Sequence, residues 1–144
     1  MLDILGESVI YYDTDSIVYI DNGKNTVKTG CLLGDWTDEL GKDVWIVDWV
    51  STGPKSYCYK TNTGKVVCKI KGFTLNYETS KKINFDSMNN SLERKDSKIN
   101  TQYNRITRDT KTKKLLNKVE TKEFGFVYDK RVILKNFDTI PFGF

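Results

Sequence analysis

Two carboxylates one residue apart are the groups in this chain best placed to do chemistry. The segment Tyr11-Tyr12-Asp13-Thr14-Asp15-Ser16 lies between two apolar, β-branched runs, Val9-Ile10 and Ile17-Val18-Tyr19-Ile20. Apolar strand, polar turn and apolar strand in that order predict a β-hairpin over 7–21 with Asp13 and Asp15 at or beside its tip. Carboxylates fixed on a hairpin suit hard divalent cations. Mg²⁺ takes oxygen ligands in near-octahedral geometry, commonly one or two carboxylates plus substrate phosphates. Asp and Thr are also ordinary turn residues. The tyrosine two residues before Asp13 and the serine after Asp15 set this segment apart from a plain polar turn.

A second set of candidates is cationic. Lys55-Ser56-Tyr57 follows Gly53-Pro54, which turns the chain into a predicted strand. On that strand Lys55 and Tyr57 share a face, and a cation beside a phenol suits a phosphate backbone, one giving charge and the other a directed hydrogen bond. Lys69 and Lys71 share a face in the same way, and Gly72 lets backbone approach closely. Arg105, Arg108, Lys111, Lys113 and Lys114 are weaker candidates for phosphate contacts.

The elements that must position these groups follow from pattern. Strands are expected at 44–51, 55–61 and 65–71, the last two joined by a turn at Thr61-Asn62-Thr63-Gly64. Asp21-Asn22-Gly23-Lys24 marks a turn, and Gly34 to Leu40 suits a short capped helical turn. Thr79, Ser80 and Asn84 offer N-caps. Phe85, Met88 and Leu92 recur at helical spacing, which predicts a packed helix at about 84–93. Residues 94–122 read as two extended arms around an exposed turn at Arg108–Lys113, with Tyr103, Ile106, Leu115, Leu116 and Val119 as anchors. The aromatic and β-branched stretch 124–135 is expected to dock back onto the body.

Bulk properties bound the function. A chain of 144 residues, 38% hydrophobic, supports about one compact domain with a modest core. The best apolar run, Val44 to Val50, is short and interrupted by Asp48, so a membrane span is excluded on length. With no basic, apolar leader either, a soluble intracellular protein is expected. Three cysteines and no histidine leave no disulfide framework and no zinc site. Cys58 and Cys68 lie in strand-like runs where they could face each other, and they are expected as buried reduced thiols. Charge is divided sharply. Residues 1–53 hold three Lys and ten Asp/Glu, a balance of −7; residues 54–144 hold twenty Lys/Arg and nine Asp/Glu, a balance of +11. An acidic segment ahead of a basic one suits a protein whose carboxylates meet cations and whose lysines meet phosphates.

Three motifs in order carry a resemblance to a known family. Tyr11-x-Asp13-Thr14-Asp15-Ser16 resembles motif C of the family B DNA polymerases. Lys55-Ser56-Tyr57 resembles that family's Lys-x-Tyr motif, and Lys69-Ile70-Lys71-Gly72 the Lys-Gly segment that follows it. The ending, Tyr128-Asp129-Lys130-Arg131-Val132-Ile133-Leu134 and then Pro141-Phe142-Gly143-Phe144, is similar to the C-terminus of protein-primed members from linear plasmids, Maverick/Polinton transposons and related viruses. Lys130 and Arg131 match a basic pair there.

The resemblance implies an α+β chain. Residues 1–75 would be the antiparallel, β-rich end of a polymerase palm with short helices, and 76–144 a β-rich, thumb-like subdomain that grips duplex DNA. Asp15 would bind metal directly and Asp13 assist it. Tyr11 and Thr14 would position the turn and approach the primer terminus, and Lys55, Tyr57, Lys69 and Lys71 would contact DNA. The implied activity is DNA-directed DNA polymerisation, a nucleotidyl transfer to a primer 3′-hydroxyl with two Mg²⁺ or Mn²⁺ ions. The implied partners are primer–template, deoxynucleoside triphosphates and a terminal protein primer. The nucleus, mitochondrion or virus-infected cytoplasm would be the setting. A second palm carboxylate, the fingers lysine and a proofreading exonuclease are expected from the family and do not occur in these residues. The chain therefore reads as a C-terminal palm and thumb fragment, inactive alone. The alternative is a non-catalytic, nucleic-acid-binding remnant of a mobile element. A reverse transcriptase is disfavoured, since those enzymes carry adjacent aspartates after Tyr-x.

Overall fold

The structure, a computed structural model, describes residues 1–94, 97–126, 131–136, 138–141 and 143. It is a strand-rich α+β chain of small antiparallel sheets with short helices, as expected. The chain divides into two compact units, Met1–Val44 and Trp45–Phe144. This boundary follows packing, whereas the 75/76 boundary drawn from the resemblance follows family role.

The first unit opens with a one-turn helix α1 (Leu2–Leu5) and a 3-10 turn at Gly6–Ser8. Strands β1 (Val9–Asp13) and β2 (Ser16–Tyr19) then form the predicted hairpin. At the following turn Asp21 Oδ1 accepts the Gly23 amide at 2.7 Å, and Asn22 Oδ1 accepts that of Lys24 at 2.9 Å. The expected helical turn within 32–40 is absent. Asp35 instead folds its carboxylate back onto the Leu32 amide at 2.8 Å, and Thr29 bridges Trp36. A Cβ at position 30 would stand 2.1 Å from Asp35 Oδ2, so a larger residue there would displace that carboxylate.

The second unit holds a three-stranded sheet, β3 (Ile46–Gly53), β4 (Ser56–Thr61) and β5 (Val66–Ile70), in sequential order. Gly64, at φ 82°, makes the predicted turn between β4 and β5. Two helices follow, α2 (Tyr77–Lys82) and α3 (Phe85–Glu93). Asn84 caps α3 through a reciprocal capping box with Ser87, which confirms the helix read from Phe85, Met88 and Leu92. α2 is too short to show an apolar period and was not anticipated. Its cap is Asn76, whose side chain accepts the Thr79 amide at 2.9 Å. The core joins one sheet face to the helices and to the base of the next hairpin through Val50, Cys58, Ile70, Ile83, Met88 and Phe124.

Cys58 and Cys68 do face each other, as register pairs, but they are joined as a disulfide rather than held as reduced thiols. Cys31 is free and exposed.

The two extended arms are β6 (Ile99–Arg108) and β7 (Leu115–Phe124), paired over ten positions without a bulge. Of the anchors expected along them, Ile106, Leu115, Leu116 and Val119 are exposed, and Tyr103 alone of the five is half-buried. The arms are held at their base instead, by buried Thr101 and Phe124. A short hairpin of β8 (Arg131–Ile133) and β9 (Thr139–Pro141) follows. Phe124 docks as expected, whereas Val132, Ile133 and Leu134 are exposed. Tyr128, Asp129, Lys130, Phe142 and Phe144 of the C-terminal motif lie outside the described residues.

Candidate metal-binding hairpin and phosphate-contact segments

The Asp-x-Asp segment occupies the tip of the β1–β2 hairpin. Asp13 pairs with Ser16, leaving Thr14 and Asp15 as a two-residue loop. Two-residue hairpin loops need left-handed backbone, and glycine or asparagine supplies it cheaply. Here Thr14 takes it, at φ 38°. A β-branched residue in that region is a genuine conformational outlier, costing roughly 1–2 kcal/mol. Two local contacts brace the turn. Thr14 Oγ1 donates to Asp13 Oδ1 at 3.3 Å, and Ser16 Oγ donates to the Asp13 carbonyl at 3.2 Å.

Pleating puts Tyr11 and Asp13, both half-buried, on one face of β1, with exposed Tyr12 on the other; the register shifts between Val9 and Tyr11, at Ile10. Asp15 stands exposed at the tip. A hollow of about 190 Å³ beside the turn is lined by Tyr12, Thr14, Ser16 and Trp36 and does not include Asp13 or Asp15. The donor set of Asp13 and Asp15 is right in kind for Mg²⁺ or Mn²⁺ and short in number. Among the described residues no group of three or more potential ligands comes together. A hard cation there would draw its remaining ligands from water, phosphates or another carboxylate.

In the second unit Lys55 is not on a strand. Gly53 pairs with Ser56, so Pro54 and Lys55 form the loop between β3 and β4. Proline then a left-handed residue is the order a type II turn requires. Lys55 takes the left-handed position at φ 57°, where glycine would be the economical choice. Ser51 Oγ clips the turn, reaching the carbonyls of Gly53 at 3.2 Å and Ser56 at 3.1 Å. The shared face expected for Lys55 and Tyr57 therefore does not arise from strand pleating.

Tyr57 is brought together with Lys69, its register partner on β5. Lys71 lies past the end of β5, in the turn with Gly72, so only Lys69 of the lysine pair is on the strand; the Lys71 amide donates to Ser56 Oγ at 3.3 Å.

Two aromatic residues beside Tyr57 were missed. Trp49 and Tyr59 lie on its face of the sheet, with Trp49 nearly parallel to Tyr57 at 4.8 Å and to Tyr59 at 6.0 Å. The alternation of Tyr57 and Tyr59 on one strand carries that signal in the sequence.

The β6–β7 hairpin carries its own charge pattern. Tyr103 donates to Glu120 at 2.9 Å and Arg105 approaches the same oxygen at 3.4 Å. The phenol's hydrogen bond is the largest cause holding the Glu120 carboxyl below the usual glutamate range, with Arg105 and Lys122 adding to it. At the loop, Asp109 accepts the amides of Lys111 and Thr112, which lower its pKa. Arg105, Arg108, Lys111, Lys113 and Lys114 are thus carried along one two-stranded arm and its loop.

Among the described residues no helix is long and apolar enough to cross a membrane. Comparison with known protein families, with curated proteins and with solved structures finds no match.

Proposed function

We propose that this chain is the C-terminal palm and thumb portion of a family B, protein-primed DNA polymerase. In this reading the β1–β2 hairpin presents the carboxylates that hold Mg²⁺ or Mn²⁺, and the second unit holds primer–template. The observation that carries it is backbone strain. The loops of two of the three motifs place a non-glycine residue in left-handed backbone, Thr14 in one and Lys55 in the other; the turn of the third uses Gly72, and Asp43 and Lys113 take the same backbone outside the motifs. Strain of this kind collects where side-chain chemistry outweighs local stability, and it was not part of the resemblance. The first unit adds support. Leu5 is its one buried apolar side chain, while Ile10, Tyr12, Ile20, Leu32 and Leu33 are exposed. A hairpin so dressed suits a strand pair that lies within a larger palm sheet.

Asp15 at the loop would ligate metal directly, and Asp13 would ligate or orient from the strand end. Bound metal would lower the pKa of the primer hydroxyl and neutralise the triphosphate. Tyr11, on the face of Asp13, would bear on the primer terminus. Lys55, Lys69 and Lys71 would neutralise backbone phosphates, and Tyr57 would direct one hydrogen bond. A second carboxylate and a fingers lysine must come from outside these residues, so the chain alone is expected not to extend a primer. A non-catalytic nucleic-acid-binding remnant is the second reading, favoured by the charge division alone.

Labelled primer–template should bind with affinity that falls steeply as salt rises, because counterion release drives phosphate contacts. Lys69→Ala and Lys71→Ala should each reduce the salt slope by roughly one unit with little dependence on base sequence. Fluorescence anisotropy at several salt concentrations measures this. Salt-independent binding would remove the reading.

A further inference from the structure

The β6–β7 arm has an open strand edge. Among the described residues no strand pairs with the outer side of β7, which runs from Leu115 to Phe124 along β6 without a bulge. From Leu115 to Thr121 every residue but Glu120 is exposed. Regular, unpaired edges are templates for another strand, and proteins usually blunt them with short length, bulges, proline or charge. β7 has no proline and is 10 residues long. It also keeps large apolar groups in water, with Leu115 at 68% and Val119 at 63% exposure. A two-stranded hairpin standing clear of a core is marginal, and further strands stabilise it.

The charges beside Val119 say which strand fits that edge. Lys118 and Glu120 flank it and share one face of the strand. Antiparallel pairing of two copies about a two-fold axis at Val119 sets the two Val119 side chains against each other. It also sets Lys118 against the partner's Glu120, and Glu120 against the partner's Lys118. Moving the axis to Lys118 would oppose two cations. Moving it to Glu120 would oppose two carboxylates and bring Lys118 against the partner's Lys122. Opposite charges directly across a strand pair stabilise it, and like charges destabilise it. Both groups can serve. Tyr103 and Arg105 share Glu120 Oε2, at 2.9 and 3.4 Å, which leaves Oε1. The Lys118 ammonium has no partner among the described residues. β6 carries Arg105 and Arg108 and no carboxylate, so its edge offers no such match.

We propose that the outer edge of β7 is a self-association surface. It pairs antiparallel with β7 of a second copy of this chain about a two-fold axis at Val119, joining two arms into one four-stranded sheet. A single edge pairing is a small interface, so the dimer is weak and concentration-dependent. The proposal stands apart from metal chemistry at Asp13 and Asp15 and from any contact with DNA.

Sedimentation equilibrium of the full chain, from micromolar to millimolar, should show a reversible monomer–dimer step. Lys118→Glu, at an exposed position, should weaken the dimer about tenfold, because two symmetry-related attractions become repulsions. Glu120→Lys should weaken it in the same way. An equimolar mixture of the two variants should form a heterodimer tighter than either variant's own dimer, since each cation again meets a carboxylate. Hydrogen exchange on the unaltered chain gives a second reading that needs no variant to fold. Amides of β7 should gain protection as concentration rises, and those of β6 should not. A chain that stays monomeric at millimolar concentration overturns the proposal. So does a dimer that Lys118→Glu leaves unchanged, or concentration-dependent protection that falls on β6 instead.

Discussion

At Lys55 two demands on one residue pull apart. Under the proposed function its ammonium is the feature that would make the Lys-x-Tyr segment a phosphate contact, while its backbone sits at φ 57°, where a side chain is a liability. Lys55→Gly should therefore stabilise the chain by up to about 1 kcal/mol, the relief of left-handed strain less the extra entropy of glycine. It should weaken DNA binding at the same time. Lys55→Ala should weaken binding without the stability gain, because alanine keeps the Cβ. Urea denaturation beside anisotropy separates the two effects, and a destabilising Lys55→Gly would show that the turn is not strained. This conformation was not legible in the sequence. Gly53-Pro54 announces a turn, but nothing about a lysine announces left-handed backbone, so the sequence pattern alone starts the strand at Lys55, one residue ahead of its actual start at Ser56. Thr14 hid its strain for the same reason, although its position between the two carboxylates was plain.

Elements were legible where local chemistry determines them. The β1–β2 hairpin follows from β-branched flanks, and α3 from its Asn84 cap and apolar spacing. They were illegible where a distant or competing contact decides. Asp35 could have capped a helical turn and instead folds onto the Leu32 amide against a glycine that makes room for it. Along β6 and β7 the apolar residues looked like anchors, yet the hairpin packs only at its base, and nothing in a strand's alternation says how far a sheet extends over a core. The facing of Cys58 and Cys68 follows from the hairpin between them; their bond depends on redox chemistry that spacing does not encode.

The same arm yields a pH prediction. Glu120 has its pKa lowered first by Tyr103, so its contribution to hairpin stability is full above the unfolded-state value and is lost as pH falls through the depressed folded value. Asp109, also lowered, acts in the same direction at the loop. Acid titration followed by amide signals of β6 and β7 should show the hairpin loosening on the acid side. Glu120→Gln should flatten that dependence, and an unchanged profile would mean the Tyr103 contact carries no linkage.

On the scale of the whole molecule, two differently built units share one chain. The second has a continuous core from Val50 to Phe124, and the first buries little beyond Leu5. The charge division at residue 53 falls within the second unit, so it does not coincide with the packing boundary. Under the proposed function the acidic hairpin tip is a half-built metal site. Paramagnetic Mn²⁺ tests it directly, because even weak, exchanging binding broadens nearby amide resonances. Substoichiometric Mn²⁺ should broaden the amides of Tyr11 to Ser16 first, excess Mg²⁺ should restore them, and Asp15→Asn should abolish the effect. Broadening centred on other carboxylates, such as Asp35 or Asp38, or broadening at the hairpin that survives Asp15→Asn, would contradict it.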